Sequence, residues 1–174
     1  MPGNGIVDQY ISLDLETTGL YPSRDKIIEI GAVKVIGGEE TEFFSTLVNP
    51  GRKLEERIVE LTGIRDEDLK NAPYIEDVLG QTLDFIGELP LLGHSVLFDF
   101  SFLKKAAVDE RRTFEKSGID TLKIARKFLP DLEHRSLGYL CGYYEIEHHA
   151  HRALNDARAT IGLFSRLKEE FYDP

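Results

Sequence analysis

The alternation of apolar residues divides the chain into two differently patterned parts, and this division constrains the fold most. Three segments near the N-terminus are typical of β-strands: the first follows the two-residue period, in which successive side chains point to opposite faces, and the other two are rich in β-branched and aromatic residues. They cover residues 6–16, 26–36 and 42–48, and Gly37-Gly38 lies between the last two as in a hairpin turn. We therefore expect an antiparallel three-stranded meander at the start of the domain.

After Pro50 the pattern changes to helices separated by short apolar segments. The helical period is clearest at residues 73–86, 94–108 and 152–171, with shorter helical stretches at 54–61, 121–128 and 136–141. Residues 89–93 and 119–120 lie between helices and are short enough to be buried strands. A meander followed by alternating helix and strand predicts one α/β domain with a mixed sheet.

Length and composition are those of one globular domain of 174 residues. We expect residues 1–5 to be a flexible lead-in and residues 6–174 to form a single domain. No apolar run reaches the ~18 residues of a membrane span, and no signal-peptide pattern is present. We therefore expect no membrane contact. The single cysteine, Cys141, excludes an internal disulfide, and we expect a cytoplasmic location.

The charge balance argues against one class of function. Aspartate and glutamate number 31 against 21 lysines and arginines, which gives a formal net charge of −10. A simple basic protein that binds nucleic acid by neutralising phosphates is therefore disfavoured. An enzyme that meets phosphates through metal ions held by its own carboxylates remains open.

Four carboxylates and one histidine lie close to the ends of separate predicted elements. They are Asp14, Glu16, Asp99, Asp156 and His151. Taken singly, each is compatible with a solvated strand end or a helix terminus. An α/β sheet brings such ends to one edge, where an oxygen-rich cluster suits Mg²⁺ or Mn²⁺. Two such ions about 4 Å apart can clamp the attacking and leaving oxygens of a phosphodiester.

Four segments, taken in order, resemble the DEDDh 3′→5′ exonucleases. They are DLETTGL at 14–20, LTGIRDEDLKNAP at 61–73, GHSVLFDFSFL at 93–103 and HRALNDARAT at 151–160. These ribonuclease-H-like nucleases include the DnaQ-like epsilon proofreading subunit and the PolC-type exonuclease domain of bacterial DNA polymerase III. The resemblance covers about residues 8–170 and implies a central five-stranded mixed sheet with helices on both faces.

The same resemblance implies a site and a reaction. Two divalent ions, Mg²⁺ or Mn²⁺, would be held by Asp14, Glu16, Asp99 and Asp156, and the general base would be His151. Asp14 would bridge both metals, Glu16 and Asp156 would complete the nucleophile-side metal, and Asp99 would reach the other through water. The implied reaction hydrolyses the terminal phosphodiester of a single-stranded 3′ end and releases a nucleoside 5′-monophosphate.

Five further residues match substrate contacts of the family: Thr17, Leu20, Thr62, His94 and Phe98. The backbone of Thr17 would meet the terminal 3′ hydroxyl, Leu20 would wedge between the last two bases, and the other three would line the terminal-nucleotide pocket. Core packing is the alternative for Leu20 and Phe98. Ser95 stands where many relatives have asparagine, so the amide contacts of that position have no counterpart.

Some charged positions keep two interpretations. Lys123, Arg126 and Lys127 form a basic helix face that either steers the incoming strand or is simply solvated. Asp120 is expected to cap the helix that follows it. His148 and His149 lie close to His151, but one cysteine and no second ligand pair argue against a zinc site.

The main functional hypothesis is a metal-dependent exonuclease that acts on single-stranded DNA 3′ ends in proofreading, replication or repair. The alternative substrate is short RNA. A hypothesis of another class is a non-catalytic nucleic-acid-binding or polymerase adaptor domain, which the presence of all four acids disfavours. A polymerase subunit or a parent polymerase chain is the expected partner, and homodimerisation is left open.

Overall fold

The computed structural model describes residues 7–172, and the lead-in predicted at residues 1–5 lies outside this range. The described part contains five strands and seven helices. The strands are β1 (Tyr10–Thr17), β2 (Ile27–Ile36), β3 (Glu39–Leu47), β4 (Leu91–Gly93) and β5 (Gly118–Asp120). The helices are α1 (Glu56–Thr62), α2 (Asp66–Leu69), α3 (Ile75–Ile86), α4 (Val96–Asp109), α5 (Thr121–Phe128), α6 (Leu137–Tyr143) and α7 (Ala153–Phe171).

The strands form one mixed sheet in the order β3-β2-β1-β4-β5. The first three strands pair antiparallel as a meander, whereas β4 pairs parallel to β1 and β5 pairs parallel to β4. The predicted five-stranded mixed sheet is confirmed. Because β1, β4 and β5 run in the same direction, their carboxyl ends meet at one edge, where α/β proteins bind ligands.

Helices cover both faces of this sheet, as expected. Ile11, Leu13 and Leu15 of β1 point to one face and pack in a core with residues of α3 and α4. Tyr10 points to the other face, where its ring meets Phe164 of α7 edge-on at 5.4 Å. The even-numbered residues of β1 therefore face α7, and Asp14 and Glu16 belong to this set.

Several element boundaries differ from the prediction by a few residues, and two of these differences have a clear local cause. β3 begins at Glu39 rather than residue 42, because its first five residues are exposed on an edge strand and carry no apolar pattern. α4 begins at Val96 rather than His94, because Ser95 has the left-handed φ of 74° and stops the helix there. No helix within residues 7–172 is both long and apolar enough to span a bilayer.

Candidate active site

Three of the predicted acids converge at the carboxyl end of β1. Asp14, Glu16 and Asp156 each present one carboxylate oxygen, and these oxygens all lie within 4.8 Å of one another. Asp14 and Glu16 come from alternate positions of β1, and Asp156 lies in the first turn of α7. In the described part of the chain this is the one group of three or more potential ligands that converges in this way.

The fourth acid, Asp99, lies in the first turn of α4 and is 4% exposed. Its Oδ1 accepts a hydrogen bond from the backbone N–H of Leu15 at 2.9 Å. β4 pairs only with Ile11 and Ser12 of β1, so β1 extends past it and the N–H of Leu15 is free for the carboxylate. Because Leu15 lies between Asp14 and Glu16 in the sequence, this contact holds Asp99 beside the cluster.

The electrostatics of the cluster are unfavourable without a cation. Burial raises the pKa of Asp14 well above its ordinary value, and repulsion from Asp99 and Asp156 raises it further. Burial above all, with help from neighbouring acids, raises the pKa of Glu16 to about 8 and that of Asp99 to about 8. Oδ2 of Asp14 is buried and has no hydrogen-bond partner among residues 7–172. A hard divalent cation fits this all-oxygen donor set and would satisfy the unpaired oxygen.

Glu29 of β2 fixes the helix that carries Asp156. Glu29 is 3% exposed, and its carboxylate accepts hydrogen bonds from the backbone N–H of Ala153 at 2.7 Å and from Nη2 of Arg152 at 2.7 Å. α7 has no capping side chain of its own, so a carboxylate from another strand satisfies its first N–H. Sequence reasoning missed this residue, although a charge inside the apolar run IIEIGAV was a usable signal.

Gly31 lets α7 approach β2 closely. A Cβ atom at this position would lie 2.4 Å from the backbone nitrogen of Leu154, which is closer than any real contact. The hydroxyl of Ser12 also donates to the carbonyl of Ala157 at 2.7 Å. Both contacts are made to the backbone of α7, and together they determine the position of Asp156 relative to β1.

The structure distinguishes two histidines that precede α7. His151 has an exposed side chain and a φ of 70°, and its backbone N–H donates to Oδ1 and Oδ2 of Asp156 at 3.3 and 3.2 Å. His148 is the residue whose side chain contacts the cluster, since its Nε2 lies 2.5 Å from Oδ1 of Asp156. Sequence reasoning missed this contact, because His148 lies eight residues before the acid in a loop without periodicity.

Three of the predicted substrate residues, Thr17, Leu20 and Phe98, differ in exposure and in contacts. Leu20 is 71% exposed, so the core-packing alternative is wrong for this residue and it is free to touch a ligand. Phe98 is half-buried and packs against the core, with its ring 5.0 Å from that of Phe102. The hydroxyl of Thr17 donates to the carbonyl of Gly19 at 2.6 Å and shapes the turn after β1.

Thr62 and His94 are held by the protein itself. The buried hydroxyl of Thr62 donates to the carbonyl of Ile58 at 2.8 Å and accepts from the N–H of Ile64. The ring of His94 lies 2.7 Å from the carbonyl of Arg135 through Nε2 and 2.8 Å from the hydroxyl of Thr121 through Nδ1. Because a carbonyl only accepts, Nε2 carries the proton, and burial lowers the pKa of His94, which favours the neutral ring.

Asp120 joins the ends of β4 and β5. Its Oδ1 accepts from the N–H of Leu122 at 2.9 Å, which is the expected cap of α5. The same oxygen accepts from the N–H of Ser95 at 3.0 Å. The starts of α4 and α5 are thus tied together next to the acid cluster.

A mixed five-stranded sheet covered on both faces, with clustered carboxylates at the end of its central strand, defines a ribonuclease-H-like nuclease. The chain belongs to the exonuclease family: the family described as "Exonuclease" (RNase_T) matches residues 11–164. The resemblance to proofreading exonucleases, first stated from the four motifs, is confirmed at this level.

Individual relatives point the same way. The chain is 38% identical to the DNA polymerase III subunit epsilon of Aquifex aeolicus over 99% of its own length and 86% of that protein. It is 39% identical to a PolC-type DNA polymerase III of Clostridium perfringens over 94% of its own length, but it spans only 12% of that polymerase. Among solved structures, exonuclease X in complex with 5′-overhanging duplex DNA matches with a TM-score of 0.72 and 26% identity, over 95% of this chain and 93% of that one.

Proposed function

We propose that residues 6–174 form a single metal-dependent 3′→5′ exonuclease domain that hydrolyses terminal phosphodiesters of single-stranded DNA and releases nucleoside 5′-monophosphates. The observation that carries this proposal is the convergence of Asp14, Glu16 and Asp156 around an unpaired buried oxygen, in a chain of the exonuclease family.

The metal-binding residues in this proposal are Asp14, Glu16, Asp99 and Asp156. Asp14 is the one suited to contact two ions, because burial and then each of the other three acids raise its pKa, and its Oδ2 has no partner among the described residues. Mg²⁺ or Mn²⁺ held by these residues would supply a water of lowered pKa and would stabilise the negative charge on the leaving 3′ oxygen. Asp99 and Asp156 are pre-positioned by backbone N–H donors, so their geometry does not depend on flexible side chains.

His151 is the proposed general base, which takes the proton of the attacking water. An imidazole titrates near neutral pH and suits this task. The side chain of His151 is exposed and has no hydrogen bond to the described residues, whereas Nε2 of His148 is already engaged by Asp156. This difference favours His151.

The substrate roles of Thr17, Leu20, Thr62, His94 and Phe98 stay part of the proposal. The exposure of Leu20 supports its role as a wedge between bases. The hydroxyl of Thr62 and the ring of His94 have their hydrogen bonds inside the protein, so we propose that these two residues shape the pocket wall.

The preference for DNA rests on the names of the relatives, which are DNA polymerase III proteins. On the same basis we propose that the domain works in the cytoplasm with a DNA polymerase, either as a separate subunit or within a parent chain. Trimming of short RNA is the alternative substrate, and homodimerisation remains to be measured by the mass of the protein in solution.

A time course with 5′-labelled DNA and RNA oligomers of one sequence tests the proposal. The unaltered protein and Asp14→Ala are compared in Mg²⁺, in Mn²⁺ and in EDTA. We expect a ladder that shortens from the 3′ end, needs metal and vanishes in the variant, with DNA degraded faster than RNA. Equal activity of the variant would contradict the metal site, and faster RNA degradation would reverse the choice of substrate.

A further inference from the structure

A second recess lies at the same edge of the sheet and outside the acid cluster. It has a volume of about 380 Å³ and is lined by His94 after β4, by Leu122 and Arg126 of α5, and by residues 133–136. Cavities of roughly 300 Å³ or more are the size that holds small ligands. We call it the α5 recess.

The topology places the α5 recess next to the acids. β4 and β5 end in register, with Gly93 opposite Asp120, and both run parallel with β1. Asp120 holds the N–H of Ser95 at the start of α4, and Asp99 lies in the first turn of that helix. The recess and the cluster therefore lie at the same edge of the sheet and are connected through the start of α4.

Of the three basic residues of α5, which the sequence left with two interpretations, Arg126 lines the recess, whereas Lys123 and Lys127 do not. Nζ of Lys127 lies 4.8 Å from the centre of the Phe128 ring, so it is engaged by that ring and is not among the residues lining the recess. Arg126 lines the recess and forms no ion pair within residues 7–172. Arg135 also lines it but donates to the carbonyls that directly follow α5. The one acidic residue of the lining, Glu133, lies 3.6 Å from the ring of His134. Arg126 is therefore the arginine of the recess that is left for a ligand.

Charge differs on the two flanks of the site. Residues 121–136 carry four basic and two acidic residues, although the whole chain has a net charge of −10. On the other flank, residues 55–68 carry six acidic and two basic residues. A polyanion whose end lies at the acid cluster is therefore attracted to α5 and repelled from α1 and α2.

We propose that the α5 recess binds the phosphodiester backbone of the single strand on the 5′ side of the scissile bond, with Arg126 as its phosphate ligand. The guanidinium fork matches phosphate oxygens in two parallel hydrogen bonds. This inference rests on the proposed exonuclease function and adds the path of the strand beyond its terminal nucleotide.

The test compares Arg126→Ala with Lys127→Ala, a matched control that removes the same charge from the adjacent position of the same helix. Binding of a fluorescent single-stranded 12-mer is measured by anisotropy in EDTA at several salt concentrations. Hydrolysis is measured with that 12-mer and with a chromogenic nucleoside 5′-monophosphate ester, which has no upstream phosphates.

We expect Arg126→Ala to weaken 12-mer binding roughly tenfold, as for loss of one charge-assisted contact. The slope of log affinity against log salt should fall by about 0.7, the value for one phosphate contact to a single strand. Its KM for the 12-mer should rise while its hydrolysis of the ester is unchanged, and Lys127→Ala should resemble the unaltered protein in every assay.

An equal loss of 12-mer affinity in both variants, or no loss in Arg126→Ala, would contradict the proposal that the recess binds the strand. If the unaltered protein binds the 12-mer with this dependence on Arg126 but hydrolyses neither substrate, the recess stands and the proposed enzymatic function fails. Absence of binding by the unaltered protein would overturn the recess directly.

Discussion

Neutralising Asp14 should stabilise the metal-free protein, and the gain should grow with pH. The pKa of Glu16 and that of Asp99 are both raised to about 8, and the pKa of Asp14 is raised well above its ordinary value. The folded protein thus retains protons that the unfolded chain releases near pH 4. The stability contributed by these protonated acids is fully present below about pH 4 and is lost as pH rises through about 8. Asp14→Asn removes the most strongly repelled member while keeping its shape.

The magnitude follows from the spacing of the cluster. The carboxylate oxygens of Asp14, Glu16 and Asp156 lie within 4.8 Å of one another. At that range and an effective dielectric of about 20, one repulsive pair amounts to about 3–4 kcal/mol. At pH 8 the acids of the cluster are only partly ionised, so we expect about half of this repulsion to be relieved. The free energy of unfolding should then rise by roughly 2 kcal/mol, which corresponds to about 4–8 °C in Tm for a chain of this size. At pH 5 the difference should be small.

Thermal unfolding of the unaltered protein and Asp14→Asn checks this, with EDTA or Mn²⁺ present at pH 5, 7 and 8. We expect the variant to have the higher Tm in EDTA at pH 8. We also expect Mn²⁺ to raise the Tm of the unaltered protein and to have little effect on the variant. A variant that unfolds at a lower Tm in EDTA at pH 8 would refute the reasoning, because the carboxylate of Asp14 would then be stabilising without a metal.

The remaining predictions concern residues around the cluster. Gly31→Ala should lower the free energy of unfolding by about 1–3 kcal/mol, measured in urea, since its Cβ overlaps the first turn of α7. Glu29→Gln should weaken Mn²⁺ binding about 10–100-fold by calorimetry, as is usual for residues that orient ligands; unchanged affinity would limit Glu29 to folding. His151→Ala should reduce kcat by about 10²–10⁴-fold. A larger reduction of kcat in His148→Ala would indicate that His148, not His151, is the general base. Ser95→Gly should raise Tm by about 1–4 °C, because glycine adopts the left-handed φ without strain.

Helices α3 and α7 were predictable because each buries one face, so the helical period is visible in the sequence. β1 is largely buried on both faces but keeps a two-residue period, because polar residues alternate with its apolar ones. β2 is buried almost throughout and is recognisable as an apolar run rich in β-branched residues. β3 gives the weakest signal, since its exposed first half lies at the sheet edge and only the Gly37-Gly38 turn marks where it begins. Periodicity reports burial, and an exposed edge strand has little of it.

The acids of the site were predictable from motifs, whereas their supporting contacts were not. Glu29 reaches α7 across more than a hundred residues, and His148 reaches Asp156 from an irregular loop. Neither contact has a local pattern, because each depends on how two distant elements pack. The family resemblance names the ligands of a site but leaves such partners to be found in three dimensions.

Backbone donors explain how the fold tolerates so many acids, and they also show where a cation is most needed. Asp99 and Asp156 each lie in the first turn of a helix, where the macrodipole favours negative charge. Each also accepts a backbone N–H, from Leu15 and from His151 respectively. A backbone N–H is present whichever side chain the donating residue carries, so the amino-acid sequence gives no sign of these hydrogen bonds. Asp14 and Glu16 lie on a strand without such help, and Oδ2 of Asp14 has no partner within residues 7–172. The requirement for a metal ion is therefore greatest at these two carboxylates, which are the ones that β1 carries.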